Sequence, residues 1–242
     1  LGVIPGGDIF GDSHSNWILG SVPSDDAHKG SEPGDGPQGT DIEIYNWNTG
    51  GAHGVYNNKW EAVYEGITRS NSTLRLLASV ESSNPAEIPA ADAQGIRGEA
   101  VFLRAHYHFE GWKVWGNIPY YGEEDTDPRK ANSPAADVIT RILADVDQAI
   151  TLLPETPRDV GRVGAWTARA YKGRVQAYAA SMGMAGITWD NVLTTLRDFS
   201  PDGVTDAGPY ALEENFHQVW TALAQYANGP ESILVYQASV ND

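Results

Sequence analysis

From about residue 55 onward the apolar positions recur at helical spacing, and before that point they do not. Trp60, Val63, Tyr64, Ile67, Leu74 and Leu77 fall on one stripe, interrupted only by Asn71, which predicts a long amphipathic helix. Ser82, Ser83, Asn84 and Pro85 end it, and Pro89 opens the next, where the missing N–H of proline costs nothing. In that second helix Ala100, Leu103 and Tyr107 keep to one stripe, but Phe102, Phe109, Val114 and Trp115 lie off it. Neighbouring elements must therefore cover more than one of its faces, and it is predicted to be buried. It stops abruptly at Trp115-Gly116-Asn117-Ile118-Pro119.

Ser133-Pro134 reads as the start of a third helix, with Val138, Ile142, Val146, Ile150 and Leu153 on one face until Pro154. Thr167 opens a fourth, in which Ala168, Ala170, Gly173, Ala177, Ala179 and Ala180 keep one side thin enough for another helix to come close. Shorter helical segments are expected around Asn191 to Phe199 and Glu213 to Gln225. The closing run from Ile233 to Ala238 is rich in β-branched residues and reads as a short covered strand. Residues 1–54 hold 12 of the 26 glycines, so they are predicted to form a long ordered loop region with one short helix near Ser15 to Leu19. The expected fold is all-α dominated, with tetratricopeptide-like stacked helix pairs and few short strands. The loop region of residues 1–54 is expected to pack on a helical scaffold of residues 55–242.

Charge and composition narrow the chemistry. Sixteen Lys plus Arg against 32 Asp plus Glu give a formal net charge of -16, which disfavours nucleic acid and acidic ligands. With no Cys there is no disulfide, no thiolate nucleophile and no Cys-based zinc site. No apolar run is long enough to cross a membrane as a helix, and the first residues lack both an initiating Met and a basic leader.

The wording of the buried helix goes further than its periodicity. Glu99-Ala100, Phe102-Leu103-Arg104-Ala105, Tyr107 and Phe109, followed by Trp115-Gly116-Asn117-Ile118-Pro119, resemble the signature of the SusD/RagB family, nutrient-binding outer-membrane lipoproteins of Bacteroidetes. Ser24-Asp25-Asp26-Ala27 with Lys29-Gly30 is similar to the family's N-terminal acidic motif, and Trp60, Tyr64-Glu65-Gly66-Ile67 and Asn71 to its first long helix. Asp145, Ala149, Leu153 and Pro154, then Gly161-Arg162, Ala168 and Gly173, resemble the next helix pair, and Glu231-Ser232-Ile233-Leu234 the strand entry after it. The resemblance implies a cell-surface protein that binds oligosaccharide or polysaccharide and sits as a lid on a SusC-like TonB-dependent transporter. It implies neither catalysis nor a cofactor. Family members carry a signal peptide, a lipidated Cys and a long C-terminal half that packs over the scaffold, none of which is in this sequence. The chain is thus expected to be the N-terminal part of such a protein, held at the outer membrane by a lipid anchor upstream of Leu1. A helical-repeat scaffold that binds a protein or peptide partner is the alternative that the helix pairs alone allow, and a helical glycan hydrolase is a third.

Sugar recognition needs flat apolar faces for the C–H side of a pyranose, beside short polar groups that bond paired hydroxyls. Asp41, Tyr45, Asn46, Trp47, Asn48 and Tyr56 meet that need at the end of the Gly-rich region, where loops on a rigid scaffold commonly carry function. The competing reading is that Tyr45 and Trp47 only anchor the loop to the first long helix. Other constellations carry less. His106 and His108 are two apart, so on a helix their side chains diverge by roughly 200° and cannot share a metal. Ser24-Asp25-Asp26 with Asp35 lacks the spacing of a calcium loop and reads as turn chemistry. Glu123, Glu124, Asp125 and Asp127 read as a solvated acidic loop. Asn71-Ser72-Thr73 matches a glycosylation sequon inside a helix and is read as accidental. Two charges on the buried helix need partners: Arg104 is expected to pair with Asp145, and Glu99 with a nearby Arg or backbone group.

Overall fold

The computed structural model describes residues 17–24, 26–30, 32, 34, 37–48, 50–184, 186–199, 208–221, 228–235 and 237. Its α-helices are α1 (Pro37–Glu43), α2 (Gly50–Ser83), α3 (Ala90–Trp115), α4 (Ala135–Leu152), α5 (Ala165–Ser181), α6 (Trp189–Leu196) and α7 (Phe216–Val219). From α1 to α6 each helix packs against the next, which is the serial stack of helix pairs that the periodicity predicts. The stripe of α2 turns inward as expected: Val63, Ile67, Leu74 and Leu77 are buried, and so is Asn71. On α4, Val138, Ile142 and Val146 are fully buried.

The predicted burial of α3 holds for its central turns, where Phe102, Ala105, His108 and Phe109 are fully enclosed. Two glycines show how tightly the layers meet. A Cβ at Gly66 of α2 would sit 2.4 Å from the Tyr107 ring of α3, and one at Gly173 of α5 would sit 2.4 Å from Leu196 of α6. The thin side of α5 thus receives α6, and the ring of Tyr107 fills the space that a side chain at residue 66 would need.

Three local expectations change. The described residues among 1–54 are less irregular than the glycine content of the span suggests, because α1 lies within it and α2 already begins at Gly50. The short helix near Ser15 to Leu19 is a π-helical turn at Trp17–Ser21, with Ser15 outside the described residues. Its Ile18, with Val22, Ile42, Ala52 and Val55, forms a small separate core, so apolar side chains and not backbone preference order this segment. The strand expected at residues 233–238 is not formed among its described residues, and the β-type pairing described is one bridge, Ile118 with Ser133. Leu234 packs on the helical core and the Ile233 carbonyl accepts from Thr167 Oγ1 at 3.1 Å. β-branched residues record burial on a surface, and a ladder also needs a neighbouring strand. The segment from Glu213 to Gln225 contributes only α7, capped by Asn215, with residues 222–225 outside the description.

Candidate functional site

The turn after α3 shows why each of its residues is used. Gly116 has φ +66°, a conformation that disfavours a side chain, and its N–H donates to the Trp112 carbonyl at 2.9 Å. Asn117 Oδ1 accepts from the Ala135 N–H at 2.8 Å, satisfying a free donor at the start of α4. Ile118 is fully buried, and the Pro119 carbonyl accepts from the Tyr64 hydroxyl of α2 at 2.8 Å. The turn therefore fastens α2, α3 and α4 together and delivers residues 119–132 to the open side of α2.

A buried polar network fixes that delivery. Arg104 donates from Nε to Asp145 Oδ2 at 2.8 Å and from Nη2 to Oδ1 at 2.7 Å, the bidentate pair expected from the sequence. Its Nη1 also donates to Asn71 Oδ1 at 3.2 Å and to Glu123, while the Tyr120 hydroxyl donates to Asp145. Burial alone would lower the guanidinium pKa, but the hydrogen bonds and charge of Asp145 outweigh it and hold Arg104 ionised. His108 stacks on the Tyr120 ring with centroids 4.0 Å apart. Its Nε2 accepts from the Tyr121 N–H at 3.1 Å, so Nδ1 carries the proton and donates to the Arg104 carbonyl at 2.9 Å. Burial pushes the His108 pKa down to about 3 and that of His106 down to about 4. Both imidazoles are structural, in line with their spacing.

Glu99 pairs with Arg162 at 2.7 Å as expected, although its side chain is a quarter exposed and not buried. The acidic loop differs from its expectation of simple solvation. Glu123 holds Arg104, and Asp125 pairs with Lys130 at 2.6 Å and accepts from the Gly122 N–H at 2.8 Å. These carboxylates clamp the 119–132 segment, and Asp125 is held below the ordinary range because Lys130 and Gly122 outweigh its desolvation. A second ionic cluster, in which the buried Glu110 meets the buried Lys59 at 3.4 Å and the half-buried Lys113 at 2.6 Å, was not foreseen. The sequon Asn71 is internal, its amide donating to the Tyr121 carbonyl at 3.0 Å. Ser24 and Asp26 make the expected local turn, with Ser24 Oγ donating to the Ser21 carbonyl at 2.7 Å; Asp25 and Asp35 lie outside the described residues. Among the described residues no group of His, Asp and Glu is arranged to hold a metal ion.

The residues chosen for sugar recognition gather where α1 ends and α2 begins. The Tyr45 N–H donates to the Ile42 carbonyl at 3.1 Å and the Asn46 N–H to the Asp41 carbonyl at 2.7 Å, which is a Schellman ending. Its left-handed position is normally a glycine, yet here it is Tyr45, with φ 58°. That conformation opposes a side chain by roughly 1–2 kcal/mol, and the Tyr45 hydroxyl, donating to the Pro23 carbonyl, holds it there. The result is an exposed ring. Tyr45 meets Trp47 edge-to-face at 5.6 Å, and Trp47 lies tilted on Tyr56 of α2 at 6.0 Å. Tyr45 is 60% exposed and Trp47 37%. Asn46 Nδ2 donates to Asp41 Oδ1 at 3.2 Å, and Asn48 is exposed beside them. Trp47 does join the loop to α2, as the anchoring reading requires, and it keeps an open face as well.

A groove of about 550 Å³ lies further along α2, between that helix and the 119–132 segment. Trp60, Tyr64 and Tyr121 form its aromatic wall, Trp60 against Tyr64 at 4.4 Å and Tyr64 edge-on to Tyr121 at 6.0 Å. Burial, reinforced by Tyr121, raises the Tyr64 hydroxyl pKa, keeping it a neutral donor. Sequence reasoning missed this groove because Tyr121 reaches it only through the turn. The spacing of Tyr56, Trp60 and Tyr64 was the one available signal.

Comparison with known proteins places this arrangement. The profile of the SusD-like family, described as "Starch-binding associating with outer membrane", matches residues 12–176, more than half of the chain. The chain belongs to the SusD-like family. A SusD-like protein of Formosa agariphila is 30% identical over 95 residues, covering 38% of this chain and 17% of that protein. Among solved structures, surface glycan-binding protein A from Bacteroides uniformis superposes with a TM-score of 0.70 at 21% identity, covering 90% of this chain and 45% of that one. A laminarin-binding SusD-like protein gives 0.63 at 24% identity, with 79% and 39% covered. A structure with xylogluco-oligosaccharide gives 0.66 at 20% identity, with 93% and 42% covered. These likenesses establish the fold. The SusD-like chain spans less than half the length of each of these relatives. No helix among its described residues is long and apolar enough to cross a membrane.

Proposed function

We propose that this SusD-like chain binds oligosaccharide or polysaccharide at the outer-membrane surface and delivers it, without chemical change, to a SusC-like TonB-dependent transporter. The observation that carries the reading is the aromatic platform of the exposed Tyr45 and Trp47 and the half-buried Tyr56, with Asp41, Asn46 and Asn48 at its edge. Tilted aromatic faces beside short amides and a carboxylate match the alternating C–H and hydroxyl surfaces of a sugar ring. A non-glycine residue held in a left-handed conformation is the kind of local strain that accumulates at ligand sites, and here it is what presents the Tyr45 ring. Family membership supports the reading, as do the laminarin and the xylogluco-oligosaccharide in the names of structural neighbours. Attachment to the membrane falls to a lipid anchor upstream of Leu1.

Electrophoresis through gels containing laminarin or xyloglucan tests this. The chain is expected to be retarded by one of them, and Trp47→Ala to weaken binding by more than about tenfold, as for truncation of an aromatic anchor. Absence of retardation in either gel, together with capture of a soluble protein partner, would establish the helical-repeat scaffold instead. Release of reducing ends during incubation would show a hydrolase.

A further inference from the structure

We propose that the groove beside Trp60, Tyr64 and Tyr121 is a second sugar subsite, continuous with the Tyr45–Trp47–Tyr56 platform, so that the chain takes an extended, uncharged oligosaccharide along α2. This rests on the glycan-binding reading above and specifies the length and charge of its ligand.

The first argument is placement. Tyr56, Trp60 and Tyr64 stand four residues apart on α2, so their side chains follow one another along a single face over about 12 Å of helix. Tyr56 closes the exposed platform at one end through Trp47. Tyr64 continues into Tyr121 at the other end, where the groove opens. The helical spacing sets the two aromatic groups, Tyr45–Trp47–Tyr56 and Trp60–Tyr64–Tyr121, in line along α2, and a stacked sugar chain uses aromatic faces in series.

The second argument is the state of the polar groups. The charges in the groove are already engaged: Lys130 is paired with Asp125 at 2.6 Å, Asp127 with Arg129 at 3.5 Å, and Arg75 donates to the Glu123 backbone carbonyl at 3.0 Å and to Ser72 Oγ at 3.0 Å. Two cations, Arg75 and Lys130, face two carboxylates, Asp125 and Asp127, so the lining has no net charge to offer an ionic ligand. By contrast, Trp60, Thr68 and Asn132 line the groove with polar side-chain groups that have no hydrogen-bond partner among the described residues. Free neutral donors and acceptors beside aromatic faces suit a polyhydroxylated, uncharged ligand.

The third argument is rigidity. Tyr121 is held from four sides: its N–H by His108, its carbonyl by Asn71, its hydroxyl by the Pro128 carbonyl at 2.9 Å, and its ring by the Lys130 ammonium at 5.6 Å. A wall fixed in this way loses little freedom when a ligand docks.

Titration calorimetry with laminari-oligosaccharides and xylogluco-oligosaccharides, from disaccharide upward, tests the proposal. Affinity of the unsubstituted chain is expected to rise with oligosaccharide length. Thr68→Arg places a long side chain in the groove from an exposed helical position that tolerates arginine. It is expected to leave affinity for the shortest sugars unchanged and to weaken the longest by about tenfold, whereas Trp47→Ala weakens every length. The double variant Thr68→Ala, Asn132→Ala removes only unpaired polar groups, and a several-fold loss confined to the long sugars is expected from it. Trp47-dependent binding that ignores length, or long sugars bound equally by the parent and both groove variants, overturns this inference alone. Binding of neither series at any length overturns it together with the glycan-binding reading.

Discussion

Arg104→Ala is expected to lower the unfolding free energy by about 3–5 kcal/mol, as when one partner of a buried ion pair is removed. The side chains of Arg104 and Asp145 are 7% and 8% exposed, so the orphaned carboxylate cannot recover its hydration without opening the core. Loss of the guanidinium also strips donors from Asn71 and Glu123, freeing the segment that carries Tyr121. For a chain of this size the melting temperature should fall by roughly 10 °C. Arg104→Lys keeps the charge but not the fork, and is expected to recover only part of the loss. Urea unfolding of the three proteins checks this. A change below about 1 kcal/mol in Arg104→Ala would show that the pair does not hold α3 to α4.

Acidification from pH 7 to pH 5 is expected to remove about 4 kcal/mol of stability, through His106 and His108. Both rings are driven neutral by burial, with pKa values lowered to about 4 and about 3, whereas in the unfolded chain they titrate near 6.5. Between these values the unfolded chain binds more protons than the folded one, so stability rises with pH there. The contribution is complete above about pH 6.5 and is lost as pH falls through 6.5 toward 4 and 3. Each histidine accounts for about 2 kcal/mol by pH 5. The lowered carboxylates, Glu110, Glu123 and Asp125, contribute only at lower pH, because their ordinary values already lie below 5. Urea midpoints at pH 7, 6 and 5 measure the slope. Proton uptake on unfolding of less than about one proton near pH 5 would contradict two neutral imidazoles in the folded chain.

Part of the geometry around the candidate site was legible before the fold, and the reason differs by residue. The platform residues were chosen for their chemistry alone, and a short span of chain then brings Tyr45, Trp47 and Tyr56 together, since α1 ends and α2 begins within it. Burial of α3, with charges that burial obliges to pair, made the Arg104 to Asp145 bond predictable across 41 residues. Tyr121, Asn71 and Asn132 share the groove only because the turn at Gly116 swings the next segment across α2. The acidic loop was read as solvated because its partners, Arg104 and Lys130, could be recognised only after that swing.

The sequence by itself determined the helical stack, the inward faces of α2 and α4, the family and the need for each buried charge to find a partner. Those follow from periodicity, burial and desolvation, which act along the chain or on single residues. Only the tertiary structure decided that Tyr45 stands exposed in a glycine's conformation, that residues 233–235 and 237 form no strand, and that Tyr121 meets Tyr64 in a groove beside α2. Each depends on which segments meet, and such meetings are set by turns and packing between residues far apart in the chain.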